Sequence, residues 1–427
     1  MAHLTARKGF AELANRLNRF PQGAPPSEYL YKILSVLMSE EEASLIAQLP
    51  IKPFTSKKAA GIWKVSEVKA VRILENLADR VLLLDMTIKG EKHYVLPPPM
   101  AGFFEFSMMR TRGDIDQKLL SELFYQYITV EEDFIKALFV NGETQLGRTF
   151  VNEDTIPRDS DLFVYDYEKA SKVIETAEHM GVSMCYCRHK MQHLGKKCDA
   201  PMDICMTFGT VADSLIRHGF ARRVGKKEGL ELLAEAYENN LVQFGENVQH
   251  EVSFICNCCG CCCEAMIAAR KFGLMNPVHT SNFMPEIVHN DCTGCGKCVE
   301  VCPVEAMSLV SANNPVKPRY KKADIDENRC LGCGVCVRVC PAQCISMEPR
   351  KKRVITPVNS VHKAVMMSIE RGGLEHLIFD NRALSSHRAM AAIIGSVLKL
   401  PPVKKVLAAE QIKSRYLGRL IEKKSGL

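Results

Sequence analysis

Two twelve-residue stretches, CTGCGKCVEVCP and CLGCGVCVRVCP, carry the same cysteine spacing, C-x2-C-x2-C-x3-C-P. The first supplies Cys292, Cys295, Cys298 and Cys302 before Pro303, and the second Cys330, Cys333, Cys336 and Cys340 before Pro341. In this pattern three thiolates of one run hold one [4Fe-4S] cube and the fourth crosses to its neighbour. The expected ligand sets are therefore Cys292, Cys295, Cys298 and Cys340 for one cluster, and Cys330, Cys333, Cys336 and Cys302 for the other. Glycines at 294, 296, 332 and 334 let the chain wrap a cube corner with N–H groups turned to sulfur, and the prolines end each turn. Zinc takes its ligands as C-x2-C pairs, which a triplet with a distant fourth does not supply.

Two further groups lie upstream. CYCRHKMQHLGKKCDAPMDIC holds Cys185, Cys187, Cys198 and Cys205, the number of thiolates that one cube or one zinc requires. Arg188, His189, Lys190, His193, Lys196 and Lys197 surround them with positive charge, which favours thiolate and offsets the charge of a cluster. The other group, ICNCCGCCCE, packs Cys256, Cys258, Cys259, Cys261, Cys262 and Cys263 into eight positions. Adjacent cysteines project in different directions, so these six cannot all converge on one cube. A fourth cluster, completion of the cluster begun at Cys185, and reactive thiols stay open as roles. The apolar neighbours Phe254, Ile255, Met266 and Ile267 favour cluster ligation over thiol chemistry. Cys344 reads as a small buried hydrophobe, and Met180, Met184, Met191, Met202 and Met206 as soft core packing.

All nineteen cysteines fall between Cys185 and Cys344 of a 427-residue chain that is 47% apolar. Such clustering points to metal in a reducing cytoplasm, not to a secreted disulfide framework. The N-terminal MAHLTARKGFAELANRLNRF is basic and amphipathic without an apolar h-region. No run is long and apolar enough for an integral membrane segment, AMAAIIGSVLKL being too short. The net charge of +7 is uneven, because the chain from Arg350 onward carries sixteen Lys/Arg against five Asp/Glu. This basic stretch reads as a docking surface for an acidic partner such as a redox protein, with anionic lipid or nucleic acid as weaker alternatives, or as a solubilising helical face.

These sites need elements to place them, and the pattern predicts an α+β, multidomain chain. Residues 27–101 read as a winged-helix-like domain: helical periodicity over 27–49, a short helix capped at Thr55 or Ser56, and a third from Ser66 to Arg80. On the third helix Val68, Val71, Leu74 and Leu77 form the apolar face. A hairpin of VLLLDMT and HYVLPPP follows. Glu67, Lys69, Arg72, Glu75 and Asp79 on that helix lack the basic excess that duplex contact needs, which makes DNA an unfavoured partner. A helical bridge (102–183), a mostly helical cysteine-rich iron–sulfur module (184–275), a bacterial dicluster ferredoxin-like domain (284–349) and a helical basic tail (350–427) complete the expected order.

Together CYCRHKMQHLGKKCDAPMDICMTFG, KKEGLELLAEAYENNLVQF, ICNCCGCCC and the two ferredoxin runs resemble a family of multi-cluster ferredoxin-type 4Fe-4S binding proteins of anaerobic bacteria and archaea. In that family a winged-helix-like segment ending near AGFFEF precedes the cysteine modules, so the resemblance spans most of residues 27–349. It implies iron–sulfur electron transfer beside a larger oxidoreductase and names no substrate. The expected function is a relay with two [4Fe-4S] clusters and one or two more. The competing readings are a redox-sensing DNA-binding regulator and a reductase using Cys256–Cys263. No Rossmann fingerprint, P-loop or nucleophile elbow is present, so no catalytic residue is assigned.

Overall fold

The computed structural model describes residues 8–139, 143–156, 165–272, 280–313, 315, 319–351, 353–354, 356–379 and 385–398. The chain divides into two units. One comprises residues 1–144, 213–221 and 358–427, the other 145–212 and 222–357.

The first unit begins with helices α1 (Lys8–Leu17), α2 (Glu28–Leu37), α3 (Glu40–Gln48), α4 (Ser56–Trp63) and α5 (Glu67–Asp79). The periodicity over 27–49 belongs to two helices, not one. Ser39 breaks it: its hydroxyl accepts from the Glu42 N–H, while the Glu42 carboxylate takes the Ser39 N–H, a reciprocal cap that starts α3 afresh. Thr55 and Ser66 cap α4 and α5. The buried face of α5 is Ala70, Leu74, Leu77 and Ala78, whereas Val68, expected on that face, is 67% exposed. Strands β1 (Leu84–Ile88) and β2 (Glu91–Val95) form the hairpin, and Phe54 adds a bridge to Tyr94.

The second unit corrects the expectation of a mostly helical cysteine module. Its centre is a six-stranded antiparallel sheet in the order β3-β7-β8-β5-β4-β6. The strands are β3 (Gly147–Thr149), β4 (Met180–Met184), β5 (Asp203–Phe208), β6 (Arg222–Arg223), β7 (Val242–Glu246) and β8 (Phe254–Cys258). β7 is buried at every position, its polar Gln243 and Glu246 included. One face of the sheet packs Met180, Val182, Met206, Phe208 and Ile255 with Ile174, Leu233 and Tyr237. Because side chains alternate, the neighbours Cys205 and Cys256 take the other face.

The ferredoxin half consists of two short two-stranded antiparallel sheets, β9 (Phe283–Ile287) with β12 (Ile345–Pro349) and β10 (Met307–Ser311) with β11 (Lys321–Ile325). Each cysteine run ends in a one-turn helix, Lys297–Glu300 or Val335–Arg338. The basic stretch does not begin as a separate tail. Arg350 donates to the carbonyls of Ser281, Phe283 and Cys330, and Arg353 pairs with Glu168, all within this unit. Residues 399–427 lie outside the described residues. No described helix is long and apolar enough to cross a membrane.

Candidate metal centres

The ferredoxin runs build two cavities. Cys302, Cys330, Cys333 and Cys336 line one, with Pro303, Leu331 and Val335. Cys292, Cys295, Cys298 and Cys340 line the other, with Leu309, Ala323 and Ile345. Each cavity thus collects three thiols from one run and the fourth from the other. All four glycines of the runs have positive φ, from 67° to 85°. Gly332 is packed so closely on Phe283 and Ser281 that no side chain fits, and Gly294 lies likewise against Lys321. Backbone N–H groups turn to sulfur: Ala306 to Cys302 (3.2 Å), Ala323 to Cys292 (3.3 Å) and Gly332 to Cys330 (3.4 Å).

Burial pushes the Cys330 thiol up to about 11 and Cys333 up to about 12, so ionising them without a compensating cation is costly. A cationic iron core supplies that compensation, and the four-thiol lining, the N–H donors and the apolar walls fit a [4Fe-4S] cube. Cys295 is the exposed member of its quartet. Cys344 is buried as expected, yet it also lines the first quartet's cavity, 3.5 Å from Cys340 Sγ.

The ten upstream cysteines regroup. The sequence grouping of Cys185, Cys187, Cys198 and Cys205 does not hold, because Cys198 leaves the other three. In a loop before β5 it meets Cys259, Cys261 and Cys262, and all four Sγ atoms lie within 4.8 Å of one another. The remaining six, Cys185, Cys187, Cys205, Cys256, Cys258 and Cys263, form a ring of thiols. Cys185 touches Cys187 and Cys205; Cys256 touches Cys205 and Cys258; Cys263 touches Cys187 and lies 3.1 Å from Cys258.

The sheet dictates this ring. Met206 pairs with Ile255, so extending the register by one residue sets Cys205 beside Cys256. Cys258 is two residues along β8 on the same face. Cys185 follows β4, Cys187 lies in helix α6 (Tyr186–His193), and Cys263 precedes helix α7 (Glu264–Phe272). The options left open by the sequence thus divide the six-cysteine run: three of its thiols join Cys198 and three complete the group begun at Cys185.

Two buried cations serve these thiols. Arg188 is fully buried, with Nη1 3.6 Å from Cys259 Sγ and Nη2 donating to the Asn257 carbonyl at 3.0 Å. Burial alone would lower its pKa, but the charges of Cys185, Cys205 and Cys259 outweigh burial and raise it. Lys190, also fully buried, pairs with Glu264, and burial brings it down to about 8. His189 and His193 face each other at 3.2 Å between Nε2 atoms. Lys196 and Lys197 are exposed. Residue types alone did not separate the two buried cations from the exposed ones; Arg188 and Lys190 lie within α6, whereas Lys196 and Lys197 follow its end.

A family model described as a 4Fe-4S dicluster domain matches residues 291–354, which include both ferredoxin runs. No curated protein and no solved structure matches the chain. The class follows from the match and the cysteine clusters: this is an iron–sulfur protein with a ferredoxin-type dicluster domain.

Proposed function

We propose that the chain is a multi-centre iron–sulfur electron relay serving a larger oxidoreductase. One observation carries this reading. The loop between the ring thiols Cys258 and Cys263 packs through Gly260 onto Pro303, the residue after the ferredoxin thiol Cys302. In this reading Cys292, Cys295, Cys298 and Cys340 hold one [4Fe-4S] cluster, Cys330, Cys333, Cys336 and Cys302 the second, and the six-thiol ring a third iron–sulfur centre. Such centres supply one-electron transfer. The chain's part is to hold them dry, to place cations beside the ring, and to leave Cys295 at the surface where a redox partner approaches.

Burial favours ligation over thiol chemistry by Cys256–Cys263: Cys258, Cys262 and Cys263 are buried, Cys256 and Cys259 half-buried, and Cys261 is the exposed thiol of the run. Helices α2–α5 with the β1–β2 hairpin form the winged-helix-like module, used for protein contact. Glu75 on α5 is bound to Lys92 and Tyr94 of the hairpin, and Glu67, Lys69, Arg72 and Asp79 leave a mixed-charge surface.

Iron and acid-labile sulfide per chain on anaerobic protein test the relay. About twelve or more iron are expected, falling to about eight in Cys185→Ser/Cys258→Ser. Eight iron in the unaltered chain would overturn the third centre. Gly260→Ala tests the junction: its Cβ would lie 2.8 Å from the Pro303 carbonyl oxygen and 2.9 Å from its Cα. Backbone must separate there, at a cost of about 1–3 kcal/mol. The expected result is unchanged iron content with slower reduction of the ring centre after the ferredoxin clusters, followed by rapid-mixing spectroscopy.

A further inference from the structure

The four thiols Cys198, Cys259, Cys261 and Cys262 stand apart from both the ferredoxin quartets and the ring, and their sulfur spacing measures the size of what they enclose. Cys198 Sγ is 3.7 Å from Cys259 and 3.8 Å from Cys262, and Cys261 is 3.7 Å from Cys262. A single ion bound tetrahedrally at a metal–sulfur distance of about 2.3 Å sets its sulfurs about 3.8 Å apart. A four-iron cube interposes four metals and four sulfides, so its thiolates spread wider. The same molecule provides the comparison. Among the described residues the Cys198 quartet is the group of metal-ligating side chains whose ligand atoms all lie within 4.8 Å; neither ferredoxin quartet is drawn in so tightly.

We infer that Cys198, Cys259, Cys261 and Cys262 form a mononuclear tetrathiolate centre for one divalent ion, zinc or a single iron, and not a further cube. This deepens the relay reading, since it assigns the thiols that the ring leaves over. Four thiolates close the coordination sphere and leave no position for a substrate, so with zinc the centre is structural. Its surroundings suit that role. Arg188 Nη1 reaches Cys259 Sγ, as donors to metal-bound thiolates do, and Arg188 Nε is buried with no acceptor among the described residues. Ile204 and Leu241 pack with Cys259 in a small apolar cluster that shields one side. A disulfide would use two of these thiols and leave the convergence of the other two without a reason.

The ion would tie the Cys198 loop to residues 259–262, the segment that carries Gly260 against Pro303 and is flanked directly by the ring thiols Cys258 and Cys263. It therefore fixes the segment that joins the ring to the ferredoxin half. The sequence pattern concealed this, because the fourth ligand lies 61 residues upstream of Cys259.

The test is elemental analysis of the full chain and of Cys198→Ser/Cys261→Ser, purified anaerobically, with X-ray absorption at the zinc edge. Cys261 is exposed and Cys198 half-buried, so the pair is the gentlest to replace. One zinc per chain with four sulfurs at about 2.3 Å, lost in the variant while iron is unchanged, is the expected result. Loss of a single iron with the visible spectrum of an iron tetrathiolate supports the mononuclear centre with the other ion. Loss of about four iron with matching sulfide would show a cube and overturn the inference. No metal lost on substitution would also overturn it. Failure of the relay reading is seen separately, as a total of about eight iron in the unaltered chain.

Discussion

Replacing Arg188 by leucine is expected to lower the reduction potential of the ring centre and to destabilise the second unit, the largest effect of any single substitution near the thiols. The guanidinium is buried between two sets of sulfurs, bonded to Cys259 and to the Asn257 carbonyl, and attracted by the charges of Cys185 and Cys205. Removing one partner of such a buried charge arrangement costs about 3–5 kcal/mol, because the remaining negative charge stays in a dry site. The reduced state of a cluster carries one more negative charge than the oxidised state, so the lost cation penalises reduction. A charge-assisted contact of about 1.5–3 kcal/mol corresponds to about 60–130 mV for one electron. Redox titration followed by electron paramagnetic resonance reads the shift, and the ferredoxin signals provide the internal reference. Arg188→Lys keeps the charge but not the two-pronged reach to Cys259 and Asn257, so it should recover part of the potential and little of the stability. A fall in stability with no change in potential would make Arg188 a packing residue alone.

The ferredoxin half was legible because its information is local. Cysteine spacing, the glycines at 294, 296, 332 and 334 and the closing prolines all lie within two short runs, and the chain within each run dictates the turn. The upstream thiols were not legible for the opposite reason. Cys185, Cys187 and Cys205 meet Cys256 through the register of β5 on β8, and nothing near Cys205 in sequence specifies that pairing. Cys258 and Cys259, adjacent in sequence, serve different groups because β8 ends between them; Cys262 and Cys263 diverge where α7 begins. The expectation that neighbouring cysteines would part company was sound, but the destination of each is a tertiary property. The sheet itself was missed because its strands come from segments far apart in the chain, β3 pairing with β7 and β5 with β8, and no local pattern specifies those pairings. In the first unit the signal for the break at Ser39 was present in SEEE, yet the apolar periodicity on either side runs through it.

Asp85→Asn is expected to destabilise the first unit by about 1–3 kcal/mol, the loss of charge-assisted hydrogen bonds at a buried carboxylate whose cationic partners Arg217 and Lys92 are themselves exposed and regain water. The carboxylate of Asp85, fully buried at the second position of β1, gathers partners that no local pattern announces. Ser214 Oγ donates to it at 2.7 Å, Arg217 Nη1 lies at 2.5 Å, Lys92 Nζ at 3.1 Å and His218 Nε2 at 3.1 Å. Three of these residues come from 213–221, a segment far along the chain that belongs to this unit. Burial pushes the Asp85 carboxyl up, but bonds from His218, Arg217, Ser214 and Lys92 prevail and hold it well below the usual carboxylate range. His218 is raised, chiefly by its bond to Asp85. The two shifts give opposite pH limbs. Stability from Asp85 is present above its unfolded pKa of about 3.9 and is lost as pH falls towards its depressed folded value. Stability from His218 is full below about 6.5 and is lost as pH rises through its raised folded value. Protection of the Leu84–Ile88 amides against hydrogen exchange should therefore be greatest between about pH 4 and 6.5. In Asp85→Asn both limbs should flatten together, because His218 loses the anion that raises it. Ser214→Ala, which removes one neutral donor, should cost about 1 kcal/mol and keep both limbs. A pH profile unchanged by Asp85→Asn would show that the network does not couple to folding.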